Sequence, residues 1–270
     1  MPKSYSFRLI LAFALCLTAA LKQGRSTATL VEAPSVILEE SFSSTDAFTK
    51  QDAVFHYTAG SFVVNNSAAD NQNSSLNQLL CASFKPTDLA AGQTLKLSFR
   101  YQAGYDEKSN VEQIFVGIFS GKSVTQNGWD QYAKGSPMRD WAGYWASLPV
   151  GEKGDATVGK NLSADDDHPF FDGVMIGKSD AGKQVAGSWH ACQFEISMQA
   201  DERVVIKLAS GEASDAMTAA FAEVVFAIDA SPEKSVLSSL SNLAFFFTTK
   251  DKQNGRLVVD DVRLELIPAR

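Results

Sequence analysis

A strict alternation of apolar and polar residues constrains this chain more than any other feature. Over residues 94–102 (TLKLSFRYQ), Leu95, Leu97, Phe99 and Tyr101 fall on one side and Lys96, Ser98 and Arg100 on the other. Successive side chains of an extended strand point to opposite faces, so this spacing predicts a strand with one face in a core and the other in water. The same period organises residues 191–198, where Cys192, Phe194, Ile196 and Met198 oppose Gln193, Glu195 and Ser197, and residues 204–208, where Val204, Ile206 and Leu208 share a side. Residues 112–120, around IFVGIF, and 243–247, LAFFF, are apolar on both sides, as strands covered on both faces should be. Segments 54–58, 62–65, 79–84, 142–148, 223–228 and 256–266 bring the expectation to about eleven strands, punctuated by Gly, Asn, Asp and Ser clusters.

Helix is scarce. Ser231 and Pro232 supply an N-cap and a first-turn proline for one short helix, and residues 214–222 offer a second. With no repeat and no Pro- or Ser-rich linker, the pattern predicts an all-β fold: an antiparallel two-sheet β-sandwich of jelly-roll type, one domain over residues 36–268, with one or two short helices. Two stretches, 121–140 and 149–188, read as long irregular loops, which in a compact domain are usually functional.

The start of the chain is a separate object. Lys3 and Arg8 precede an apolar run over residues 9–20 (LILAFALCLTAA), followed by small residues. That is the pattern of a secretory signal peptide, here assigned to residues 1–28. The run is shorter than the roughly 20 apolar residues a spanning helix needs. The expected location is therefore secreted or periplasmic, with no membrane span. Beyond the leader, Cys81 and Cys192 remain. In an oxidising compartment such a pair favours a disulfide, closing a loop of about 110 residues worth about 4–5 kcal/mol in chain entropy; the other reading is two small buried hydrophobes. The 24 Lys and Arg against 31 Asp and Glu give a net charge of −7 with no basic run, which argues against nucleic acid as a partner.

Residues 187–198 (GSWHACQFEISM), a polar turn and residues 203–211 (RVVIKLASG) resemble the Gly-x-Trp-His strand, turn and apolar strand of laminin-G-like domains in the concanavalin A-like lectin and glucanase superfamily. Residues 254–266 (NGRLVVDDVRLEL) resemble the closing strand of those domains and residues 37–42 (ILEESF) their opening one. The resemblance implies a concanavalin A-like jelly roll in which first and last strands pair. It leaves activity open, because that fold hosts lectins, carbohydrate-binding modules, adhesion domains and glycosidases.

The glucanases of that superfamily carry their two carboxylates as Glu-x-Asp-x-x-Glu on one strand, and this spacing is absent here. Glu195 stands alone on its strand, and the neighbours Glu39 and Glu40 point to opposite faces, as do Asp201 and Glu202. Strict alternation along the last strand groups Asp260 with Val258, Val262, Leu264 and Leu266 on an apolar face, and Glu40 sits likewise between Leu38 and Phe42. If the terminal strands pair, these two acids could share one structural Ca²⁺; the alternative is that each accepts backbone or Arg/Lys hydrogen bonds. Asp165, Asp166, Asp167 and His168 form a second acidic cluster, and His190 and Trp189 read as packing residues. Trp129, Tyr132, Trp141, Tyr144 and Trp145, mixed with Arg139, crowd into one stretch. Exposed, such rings would form a platform for sugar rings; buried, they would cover the sandwich rim. The expected function is non-catalytic binding of a glycan or another extracellular partner, including a protein. Trp129, Tyr132, Arg139, Trp141 and Tyr144 are the candidate ligand residues. The alternatives are a glycoside hydrolase or polysaccharide lyase, and a structural or adhesion module.

Overall fold

Alternating residues build two antiparallel sheets packed face to face. The structure, a computed structural model, describes residues 32–44, 46–49, 55–58, 62–71, 78–104, 111–128, 136–151, 154–162, 168–171, 173–180, 185–213, 221–250 and 255–269. Numbered in chain order, the larger sheet holds eight strands: β1 (Ser35–Glu40), β3 (Val63–Asn65), β4 (Ala68–Asp70), β6 (Thr94–Ala103), β11 (Trp189–Met198), β12 (Val204–Glu212), β13 (Ala222–Asp229) and β15 (Leu257–Ile267). The smaller holds seven: β2 (Phe55–Tyr57), β5 (Leu79–Thr87), β7 (Val111–Ser120), β8 (Ala142–Pro149), β9 (Asp155–Asn161), β10 (Val174–Asp180) and β14 (Leu240–Thr249). Among the described residues helix is confined to α1 (Asp46–Thr49), α2 (Lys234–Leu237) and a 3-10 turn at Pro137–Asp140. The helix expected after Pro232 is α2, whereas most of 214–222 lies outside the described residues. The expected leader, residues 1–28, also lies outside them, and no described helix is long and apolar enough to cross a membrane.

The alternation of β6 survives intact: Leu95, Leu97, Phe99 and Tyr101 are buried while Lys96, Ser98 and Arg100 are not. Their inner faces, with those of β11 and β12, meet Ile114, Val116, Ile118, Leu243, Phe245 and Phe247 from the smaller sheet. The other faces of β7 and β14 are apolar too, and they are covered, as their composition demands. Two strands, β9 and β10, lie inside the stretch read as a loop over 149–188. Their sequences, DATVGKN and VMIGKSD, carry little alternation, and pairing with β8 and with each other extends the sheet across them.

First and last strands pair, with Ser35 opposite Leu266 and Glu40 opposite Val262. The last strand is not regular. Asp261 adopts a left-handed φ of 49°, and the register of β15 against β6 shifts between Asp260 and Arg263. This β-bulge inserts a residue, so the core side of β15 reads Leu257, Val259, then Val262 and Leu264. Asp260 is thereby moved off the apolar face where strict alternation had grouped it.

Cys81 and Cys192 are both free and buried. Cys192 packs in the core between the sheets, whereas Cys81 belongs to the cluster on the far side of the smaller sheet. The expected disulfide is replaced by two small apolar fillers, and burial raises both thiol pKa values well above their ordinary range.

Candidate functional site

In the described part of the stretch expected to form a sugar platform, Met138, Trp141 and Trp145 belong to a second core instead. Trp141 is 0% exposed, stacks on Phe119 at 5.4 Å and donates its indole N–H to the Lys122 carbonyl at 2.9 Å. Around it Phe115, Trp145, Phe170, Phe246 and Met138 seal the outer face of the seven-stranded sheet. Gly159 has no side chain because the Trp145 ring lies against its Cα, where a Cβ would collide with it. Tyr144 points the other way, into the core between the sheets. Its hydroxyl donates to Asp229 Oδ2 at 2.9 Å, and Lys160 Nζ reaches the same oxygen at 2.8 Å, tying β8 and β9 to β13. Burial, reinforced by Asp229, pushes the Tyr144 hydroxyl above its ordinary range. Arg139 is half-buried in the 3-10 turn. Trp141 and Tyr144 are therefore packing residues, and Trp129 and Tyr132 lie outside the described residues.

His168 closes this second core. Its ring stacks on Phe171 at 4.5 Å and lies 4.8 Å from Phe246, with Nδ1 facing the Phe170 N–H at 3.4 Å. Burial among rings lowers its pKa to about 3, so the imidazole is neutral. Asp165, Asp166 and Asp167 lie outside the described residues.

The outer face of the eight-stranded sheet is different. Trp189, Gln102, Val258 and Asp70 stand opposite one another on β11, β6, β15 and β4, a row that shares one face. Arg100 and Asp260 form the adjacent row. Between them lies a cleft of about 360 Å³, lined by Trp189, Gln102, Arg100, Asp260, Val258, Arg256, Asn65, Asn66, Ala68 and Ala213. The β3–β4 hairpin shapes one wall: Asn66 and Ser67 are its two turn residues, with φ of 51° and 57°, the doubly left-handed turn that Asn tolerates and that fits the twist of paired strands.

Ion pairs fix the floor of this cleft. Arg100 Nη2 contacts Asp260 Oδ2, and its Nε lies 2.8 Å from Asp261 Oδ2 without hydrogen-bond alignment. The Arg100 guanidinium also covers the Trp189 ring at 5.2 Å. Arg256 grips Asp70 with two N–H groups, Nε at 3.0 Å and Nη2 at 2.7 Å, and Asn65 donates to the same carboxylate at 3.0 Å. Burial raises the Asp260 pKa above its ordinary range, opposed by the Asp261 N–H and Arg100.

These contacts bear on the Ca²⁺ expected between Glu40 and Asp260. Glu40 Oε1 accepts the Phe42 N–H at 2.7 Å, and Asp260 accepts from Arg100 and from the Asp261 N–H at 2.8 Å. A guanidinium in contact with Asp260 repels a cation, so these residues do not fit the shared Ca²⁺. Among the described residues no three His, Cys, Asp or Glu side chains gather as a metal site would need. His190 packs as expected, stacked on Tyr101 at 5.4 Å with Nε2 3.0 Å from the Val185 carbonyl. Trp189 does not: it lies partly exposed on the outer face. The signal was present, since Cys192 and Phe194 inward put His190 inward and Trp189 outward.

No family model matches the chain, and no curated protein matches it in sequence. Solved structures do resemble it. Lectin II from Ulex europaeus is 12% identical with a TM-score of 0.50, covering 87% of this chain and 100% of its own. The Emp46p carbohydrate recognition domain, in a variant form, is 10% identical with a TM-score of 0.51, over 84% of this chain and 94% of its own. Basic winged bean lectin, solved with Tn-antigen, is 8% identical with a TM-score of 0.50, over 87% and 98%. Identities this low establish the fold alone: the chain is a concanavalin A-like sandwich, as its strand motifs imply.

Proposed function

We propose that this concanavalin A-like sandwich is an exported carbohydrate-binding protein whose ligand seats in the cleft beside Trp189. The observation that carries the reading is a partly exposed indole set among immobilised polar groups. A sugar ring offers an apolar face to an aromatic and hydroxyls to fixed donors and acceptors. Gln102 is held through Nε2 to the Gly187 carbonyl, and Arg100 by its carboxylates, so neither loses much freedom when a ligand arrives. The likeness to lectin folds supports the same class, one of them having been solved with galactose. Hydrolysis fits the cleft less well, because Asp70 and Asp260 are each engaged by an arginine rather than poised as an acid and base pair. Export follows from the pattern of residues 1–28, and N-terminal sequencing of the secreted protein checks it.

A glycan array carrying neutral and acidic oligosaccharides, probed with the parent protein and with Trp189→Ala, tests the function. Retention of at least one glycan by the parent, weakened tenfold or more by the substitution, is expected. An empty array, or binding indifferent to Trp189, would overturn the assignment.

A further inference from the structure

Resting on the reading that the cleft holds a glycan, we infer that it selects uncharged glycans and discriminates against those bearing carboxylate or sulfate. Two arginines line the cleft, which at first suggests an anion site. Both are already neutralised from within. Arg100 meets Asp260 and Asp261, and Arg256 is held by Asp70 through two bonds. Two guanidiniums therefore face three carboxylates, and the chain as a whole carries −7.

An acidic sugar could reach either arginine only by displacing a carboxylate tethered to the same sheet. Asp260 and Asp70 side chains are 7% and 3% exposed, so a displaced carboxylate would stay buried without its partner, a costly state. A hydroxyl faces no such obstacle, because a guanidinium carries five N–H groups and can share one without releasing its carboxylate. The aspartates thus act as specificity determinants: they convert two cations into oriented hydrogen-bond donors.

The test compares neutral galactose- and glucose-based oligosaccharides with the same backbones carrying sulfate or uronic acid, each at low and at tenfold higher salt. Parent protein, Asp260→Asn and Asp70→Asn are measured, with melting curves to confirm folding. The parent should bind neutral chains at least tenfold more tightly than their acidic derivatives, with less than a twofold change across the salt range. Either Asn variant that folds should gain salt-sensitive binding of the acidic chains. Equal or tighter binding of acidic chains by the parent overturns the selectivity while leaving a glycan site in place. Binding of neither set overturns the carbohydrate reading and the selectivity with it. Should neither variant fold, the parent's preference and salt response still decide the matter.

Discussion

On the seven-stranded sheet, Phe115, Phe119, Trp145 and Phe246 point away from the interior yet are buried, because Met138, Trp141 and Phe170 fold over them. On the eight-stranded sheet the outward residues, Lys96, Ser98, Arg100, Gln102 and Trp189, are left partly exposed. Both faces come from the same period of two. Alternation states which side chains share a face; what the connecting segments place over that face decides whether it meets water. A face sealed by aromatics cannot take a hydroxyl-rich ligand without opening a core, whereas the polar face offers a formed cleft. Aromatic density in a sequence is thus a poor guide to which rings stay exposed.

Substitutions can break this contrast. The largest effect belongs to the sealed face: Trp141→Ala should cost about 3–5 kcal/mol in chemical denaturation, the range for deleting a large buried aromatic. A loss under about 1 kcal/mol would mean the cover over the smaller sheet is not a core.

Next comes His168. Its folded pKa of about 3 lies below the ordinary 6.5, so between those values the unfolded chain binds a proton that the folded chain refuses. Stability contributed by the neutral ring is complete above pH 6.5 and falls as pH falls, by about 1.4 kcal/mol per unit. Urea denaturation at pH 7 and pH 4.5 should therefore show about 2–3 kcal/mol more acid loss in the parent than in His168→Phe. Equal losses would place the imidazole in water.

On the open face the same chemistry should matter less to folding. Trp189→Ala removes a part-exposed ring and one cation–π contact, and its melting curve should register less than about 1 kcal/mol while glycan binding disappears. Smallest of all is the pair of Lys96 Nζ and Glu195 Oε1 at 3.7 Å. A double-mutant cycle there should give a few tenths of a kcal/mol, fading with salt.

Much of this fold can be read from residues alone, where packing obeys simple periodicity. β6, β11 and β12 show which of their faces is buried, and the doubly apolar β7 and β14 announce two covered sides. β9 and β10 escape because Gly, Lys and Asp there carry no face preference, and only pairing with neighbours makes them strands. The cleft is half legible. Arg100, Gln102 and Trp189 share a face by counting in twos, while Asp260 is misassigned by that count because one left-handed residue, Asp261, shifts the phase. Asp is among the few residues that enter that conformation readily, and here the bulge falls where the partner of β15 on that edge changes from β4 to β1, a long-range pairing that local sequence does not announce. The long-range grip of Arg256 on Asp70 has no local signature at all.

The contrast between the faces is tested most directly by the indole N–H resonances of the tryptophans, assigned by single Trp→Phe variants, during titration with a neutral oligosaccharide retained on the array. Trp189 should shift in a saturable manner while Trp141 and Trp145, sealed on the opposite side of the sandwich, stay in place. A ligand that moves Trp141 and Trp145 and leaves Trp189 untouched would contradict the assignment of the binding face.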